Sequence, residues 1–539
     1  MTEGGQVGGR GGSVWRTGGQ AVRSSARRVL TAFTALSAAT AYLAATPANA
    51  QATSAPARSD LTRALDRRLD SSPFNRVLWG VAVVDETGHL LYNRNADRLF
   101  VPASGLKLVV SSVAAALLPP TWTVRTSLYA TGPLAGGVLQ GDLILYGRGD
   151  PTFSHRCYGL DTLRAGACDV DPEAPLRHLA DTLRAHGVRT IAGNLVGDGS
   201  WFEPLLVHPA WDSYDLNWWY AAPVSGLGVN DNSVDIEWAP GAVVGGPSRI
   251  AYGPPWSGIT LGNRSVTVAG ATGTTIDFFR EPGTLHVYAQ GQVAEAAAGR
   301  VEHFALPDPN LYTARALRSA LADAGIAVLG CTRSTTDSTT YAAARGTPPL
   351  AEVVSRPLAD WIFPILNSSQ NWFAEMLVKQ LGRQFGHSGS WDAGIAVERR
   401  FLIDSVGVDS TQFDLVDGSG LAESNLISPL AFTRLLRYMR HHPRYGTIAA
   451  ALPRAGSRGS LRARFAGTPA AGHVVAKTGS IARVSTLSGY LELPDGHTIT
   501  FSVMANHYAL PDALVLAQID AAVVDVARTL GGRAQAGRR

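Results

Sequence analysis

The stretch VPASGLKLVV, residues 101–110, sets a lysine three positions after a serine in a chain that otherwise avoids lysine. Lys occurs at 107, 379 and 477, and every other basic side chain is Arg. Arg replaces Lys as a surface charge but not as a proton acceptor. Guanidinium keeps its proton, whereas a buried ammonium can be driven to lose it. A helix expected from Ser104 to about Leu118, stopped by Pro119-Pro120, would put Ser104 and Lys107 one turn apart on one face. A neutral amine there would take the hydroxyl proton and make Ser104 a nucleophile. Alone, Ser-x-x-Lys carries little weight, because any exposed helix start with a nearby lysine matches it.

Two further segments change that balance. Ser369-Gln370-Asn371, in NSSQNWFAEML, opens a second expected helix, and Lys477-Thr478-Gly479-Ser480 lies on an expected strand followed by another. Singly, Ser369 and Asn371 read as cap or turn residues, and Lys477 as a charge guarding a strand edge. Together they run in the order Ser-x-x-Lys, Ser-x-Asn, Lys-Thr-Gly and take two of the three lysines. That is the set of class A β-lactamases and penicillin-binding proteins, with Gln370 standing where the set has Asp. The long separation of Ser104 from Ser369 exceeds what a compact β-lactamase needs. With GDLILYGRGDPTFS (141–154), VGDGSWF (196–202), VDGSGLAESNLISP (416–429) and KTGSIARVSTLSGYL (477–491), the chain resembles the D-alanyl-D-alanine carboxypeptidase/endopeptidase family, the class C low-molecular-mass penicillin-binding proteins, from about residue 60 to 530.

The resemblance implies a mixed α/β fold, a serine β-lactamase/DD-peptidase-like domain split in sequence by a β-rich insertion. It also implies roles. Ser104 would attack the carbonyl between two D-alanines of a peptidoglycan stem peptide, and Lys107 would take its proton. Ser369 would relay that proton to the leaving amine, and Asn371 would hold the substrate backbone. Lys477 would supply positive charge, and Thr478 and Ser480 hydroxyls, toward the substrate carboxylate. The backbone N–H groups of Ser104 and Ser480 would form an oxyanion hole, where loss of one donor costs about 3 kcal/mol. A side chain at Gly479 would crowd a substrate lying along the strand. β-Lactams would inhibit by acylating Ser104. Other readings stay open: a β-lactamase or esterase on the same scaffold, or a non-catalytic cell-wall binding protein. Carboxypeptidase against endopeptidase preference depends on how the insertion shapes the cleft.

The remaining candidates read as structural. Lys379 is a solvated or cross-helix charge, and Ser419 in DGSGL a turn beside the cleft. His473 and His507 have no Gly-x-Ser-x-Gly elbow to serve, and Asp150 and Asp198 sit in turns of the insertion.

At 539 residues the chain exceeds one core. Residues 51–120 and 341–531 are assigned to the catalytic domain, 121–340 to the β-rich insertion, and 532–539 to a polar tail. Strands are expected at 473–477, 484–492 and 497–505, and a closing helix at 511–530. The net charge of +4 comes from residues 1–50, where five arginines face Glu3, so no basic face is implied and nucleic acid is excluded as a partner. Arg27-Arg28, the apolar run from Val29 to Ala45 and the small residues Ala48 and Ala50 form an export signal with maturation at Gln51; an uncleaved anchor is the alternative. The expected location is the periplasm or cell envelope. There Cys157 and Cys168 are candidates for a short disulfide loop, a closure of roughly 2–3 kcal/mol, and Cys331 is left as a buried small hydrophobe. No Cys or His cluster has metal-ligand spacing, and no cofactor is implied.

Overall fold

The computed structural model describes residues 55–159, 171–281 and 283–536. The span 1–50 expected as an export signal, the expected maturation point and Cys168 lie outside them.

The helices that matter for the site are α1 (Ala55–Leu69), α2 (Lys107–Leu117), α3 (Leu358–Asn367), α4 (Asn371–Phe385), α5 (Trp391–Arg400), α6 (Pro429–His441) and α7 (Asp512–Ala536). The strands are β1 (Leu78–Val84), β2 (Leu90–Arg94), β3 (Val474–Ile481), β4 (Val484–Glu492) and β5 (Thr498–Asn506). They form one antiparallel sheet in the order β2-β1-β5-β4-β3. The β1–β2 turn contains Gly88 at φ 97°, a left-handed value that glycine adopts without steric cost. Both faces of the sheet are covered. Leu61 and Leu65 of α1 and Val515 and Ile519 of α7 pack on one side with Val81, Leu487 and Phe501. On the other, Val475, Tyr490 and Met504 meet the core built by α2, α3, α4 and α6. The sheet and helices thus draw on both ends of the chain, because β1 is paired with β5 across more than four hundred residues.

The middle of the chain builds a second sheet in the order Thr332–Thr335, Leu195–Asp198, Leu143–Gly147, Arg125–Ala130, Ala351–Val354, with mixed pairing. Helices Ala174–Ala185 and Pro309–Asp323 share its apolar core. Its outer strand Ala351–Val354 lies past the boundary expected at 340, so this sheet reaches further along the chain than the alternating pattern indicates. The segment after Asp198 leaves it altogether: Phe202, Trp211, Ala221, Ala222 and Val224 are buried in the core built by α2, α3, α4 and α6.

The local structure adds to the expectations and corrects two of them, the tail after 531 and the burial of Cys331. Helix α3 forms with Pro364 inside it. The lost N–H and the ring cost about 3 kcal/mol in an exposed helix, but here every side chain from Trp361 to Asn367 is buried and packing offsets that cost. The first terminal strand runs on through Lys477-Thr478-Gly479-Ser480 to Ile481. Helix α7 continues to Ala536, into the span expected as a tail. Cys331 is exposed and free, at the start of an outer strand of the second sheet, while Cys157 is disulfide-bonded. No helix among the described residues is long and apolar enough to cross a membrane.

Candidate active site

Ser104 lies in a 3-10 turn, Ala103–Leu106, that runs directly into α2, rather than in the helix itself. Side chains three apart eclipse one another in a 3-10 turn, and Lys107 Nζ stands 2.8 Å from Ser104 Oγ. The same amine donates to the Ser419 carbonyl, also at 2.8 Å. Lys107 is completely buried, and that burial pulls its pKa from the usual 10.5 down to about 7, with the carboxylates of Glu375 and Asp417 acting in the opposite direction. An amine so placed is readily neutral and, when neutral, accepts from the serine hydroxyl.

Ser369 and Asn371 arrive from the α3–α4 junction. Ser369 is held at φ 63°, and Ala103, just before Ser104, at φ 47°. Left-handed backbone costs an L-residue about 1–2 kcal/mol, and two such residues lie at Ser369 and immediately before Ser104. Lys477 Nζ is 2.9 Å from Ser369 Oγ and 2.7 Å from the Thr478 carbonyl. Burial, and then the neighbouring charge of Lys107, push the Lys477 pKa well below 10.5. Asn371 Nδ2 donates to the Tyr220 carbonyl at 2.7 Å, which ties α4 to the segment that crosses from the second sheet.

Gln370 is fully buried and does structural work. Its Oε1 accepts from Trp372 N at 3.0 Å and caps α4; its Nε2 donates to Asp231 Oδ2 at 2.6 Å. A carboxylate at 370 would face a buried carboxylate, which accounts for an amide at this place in the motif. Gln370→Glu is expected to destabilise the fold by about 2–3 kcal/mol through that lost charge-assisted bond. Thermal melting measures it, and an unchanged midpoint would refute the account.

Ser104, Ser369, Asn371 and Ser480 share one cleft of about 1020 Å³. The two lysines lie beneath its floor. Thr478 and Gly479 are off the lining: Thr478 Oγ1 donates to Ser460 Oγ at 2.8 Å. Gly479 is explained differently from the expectation. A Cβ there would stand 2.4 Å from the Pro102 carbonyl oxygen and 2.8 Å from Gly105 N, so its absence lets β3 close on the turn that carries Ser104. The far wall, including Trp211, Asp212, Asp215 and Tyr220, comes from the middle of the chain, and Glu423 from the segment after DGSGL. These wall residues carry no sequence signal, having neither motif nor periodicity.

Lys379, expected as a solvated or cross-helix charge, is buried. Its Nζ sits 2.7 Å from the Leu205 carbonyl, 3.2 Å from the Glu203 carboxylate and 3.5 Å from the Trp391 ring centroid. It fastens the wall segment to α4 and α5. Glu375 and Asp417, both buried, surround the Ser419 turn. A clue to Glu375 was available, since a carboxylate inside the apolar run NWFAEML is rarely buried without a task.

The profile of the D-Ala-D-Ala carboxypeptidase 3 (S13) family matches residues 61–530. The D-alanyl-D-alanine carboxypeptidase of Actinomadura sp. (strain R39) is 32% identical over 501 residues, 89% of this chain and 87% of that one. The crystal structure of penicillin binding protein 4 (dacB) from Haemophilus influenzae superposes with a TM-score of 0.73 at 22% identity, over 86% of this chain and 98% of that one. Its complex with a novel β-lactam gives 0.70 at 22% identity, over 88% and 99%.

Proposed function

Because the chain belongs to the D-Ala-D-Ala carboxypeptidase 3 (S13) family of serine carboxypeptidases, we propose that its peptidase activity runs through an acyl-enzyme on Ser104. The observation that carries this is the pairing of two buried amines with two serine hydroxyls on one cleft, Lys107 with Ser104 at 2.8 Å and Lys477 with Ser369 at 2.9 Å. Ser104 Oγ attacks the carbonyl of the D-Ala–D-Ala bond while its proton passes to neutral Lys107. The tetrahedral oxyanion is held by the backbone N–H groups of Ser104 and Ser480. On collapse the C–N bond breaks, and the proton reaches the leaving D-alanine amine through Ser369. Water then attacks the ester, gives up a proton along the same route, and restores the Ser104 hydroxyl. Among the described residues no carboxylate offsets the burial of Lys477, whose surroundings and the charge of Lys107 both disfavour its ammonium form; a substrate carboxylate would stabilise that form. Asn371 would hold the acyl backbone, and Thr478 would reach the carboxylate by giving up its bond to Ser460.

The substrate class is a peptide ending in D-Ala-D-Ala, and we assign it to peptidoglycan stem peptides, which a cleft of about 1020 Å³ can accommodate beyond the terminal dipeptide. The catalytic part would be the β1–β5 sheet with its helices, and the inserted part the second sheet and its satellites, with the wall of the cleft as the latter's contribution. Action outside the cytoplasm is supported by the disulfide at Cys157 and is consistent with the export signal expected at residues 1–50. Incubation with labelled penicillin, followed by intact mass and peptide mapping, is expected to give one long-lived adduct on Ser104. Label on another residue would overturn the assignment, and turnover of many penicillins per second would favour a β-lactamase.

A further inference from the structure

Behind Lys107 lies a carboxylate that does not touch the cleft. Glu375 sits one turn beyond Asn371 on α4 and is completely buried. Its Oε1 accepts from Ser419 N at 2.7 Å; its Oε2 accepts from Gly418 N at 3.1 Å and from Trp391 Nε1 at 2.8 Å. Those two backbone donors belong to the turn whose Ser419 carbonyl receives the Lys107 amine. Asp417 braces the other side of the turn. Its Oδ1 accepts from Gly420 N and Asn425 Nδ2, each at 2.8 Å, and its Oδ2 from Ala422 N at 2.8 Å and Trp211 Nε1 at 3.0 Å. The turn also abuts the nucleophile: Gly420 is at φ +79°, and a Cβ on it would stand 1.9 Å from the Ala103 carbonyl oxygen. A displacement of this turn therefore moves the acceptor of Lys107 and presses on the residue before Ser104.

We propose that Glu375 is a positioning residue for acyl transfer, its carboxylate holding the 417–420 turn so that the Ser419 carbonyl fixes the Lys107 amine against Ser104 Oγ. This rests on the reading of Ser104 as nucleophile and Lys107 as base. Glu375 acts by geometry and by charge. The charged groups facing Lys107 are Glu375 from α4, Asp417 from the turn and Lys477 from β3. Further back, Glu398 of α5 is buried with neither carboxylate oxygen paired, and burial, with the charges of Glu375 and Asp417, holds its pKa well above the usual value. Lys379 faces Glu375 from the same helix. Burial and Asp417 raise the Glu375 pKa to about 7, against its three N–H donors.

The test measures the rate of penicillin acylation of Ser104 from about pH 5 to about pH 9 for the parent, Glu375→Gln and Glu375→Asp. Glutamine removes the charge and turns an N–H₂ toward at least one of the three donors. Its limiting rate is expected to fall about 10²-fold, the scale of an ångström of misplacement. Its acid limb should move to lower pH, because over the upper part of that limb, where Glu375 is ionised, Lys107 loses a stabilising anion and gives up its proton more readily. Aspartate keeps the charge but draws it back by one methylene, so the limiting rate should fall while the acid limb stays. A merely structural role would lower the melting temperature without moving the limb. Parent-like limiting rates in either folded variant, or an unmoved limb in folded Glu375→Gln, would overturn the proposal. If the glutamine variant does not fold, the aspartate rate decides. Absence of label on Ser104 in the parent would instead overturn the underlying mechanism, so the two failures are distinguishable.

Discussion

Lys107→Arg is expected to abolish acylation of Ser104 by penicillin, although it keeps the positive charge. General-base assistance is worth about 10²–10⁴ in rate, and loss of one member of a unit costs more than its share. The reason is proton affinity. Burial brings the Lys107 amine to about 7, so it is neutral for much of the time near neutral pH, whereas guanidinium does not release its proton. The sign follows: acylation rises with pH as Lys107 loses its proton and is lost on acidification below about 7. Because Lys107 is fully buried, the bulk of arginine must be separated from its chemistry. Lys107→Met does this, keeping the length of the stem without an amine, and it should be equally inactive. Circular dichroism and melting temperature establish that both variants fold. Acylation near the parent rate in either would place the proton acceptor elsewhere.

The second large effect is expected from a single methyl group. Gly479→Ala places a Cβ 2.4 Å from both the Pro102 carbonyl oxygen and Thr486 Oγ1, and 2.8 Å from Gly105 N. Thr486 could rotate away, but the other two atoms are backbone of the turn that holds Ser104. Either β3 withdraws, carrying Lys477 and Ser480 with it, or the turn shifts and Ser104 leaves its place beside Lys107. Both routes misalign the nucleophile, so acylation should fall by about 10²-fold or more. Overpacking of this kind also lowers stability by about 1–3 kcal/mol. The acylation rate and the melting midpoint are read on the same protein. A parent-like rate would mean that the contact between β3 and the turn is not what positions Ser104, and would return Gly479 to the simpler task of clearing space for substrate.

The amino-acid sequence by itself determined the local part of this protein. Ser104 and Lys107 are three apart, and any turn-to-helix geometry brings such residues together. The terminal strands and most of α7 follow from short-range alternation and periodicity, and the order of three motifs was enough to identify the class of chemistry. The tertiary structure decided everything that depends on distant contact or on burial. Lys477 meets Ser369, 108 residues away, and Lys107 meets the Ser419 carbonyl, 312 residues away. The lysine's lowered proton affinity, which suits it to the proposed role of base better than to that of a surface charge, comes from desolvation by a core assembled from both ends of the chain. Helix α3 survives its internal proline for the same reason, and Lys379 is a buried tether rather than a solvated charge. Glu375 and the wall from Trp211 to Tyr220 belong to this second group. Their positions are set by which surfaces pack together, and packing between distant segments leaves no period in a sequence.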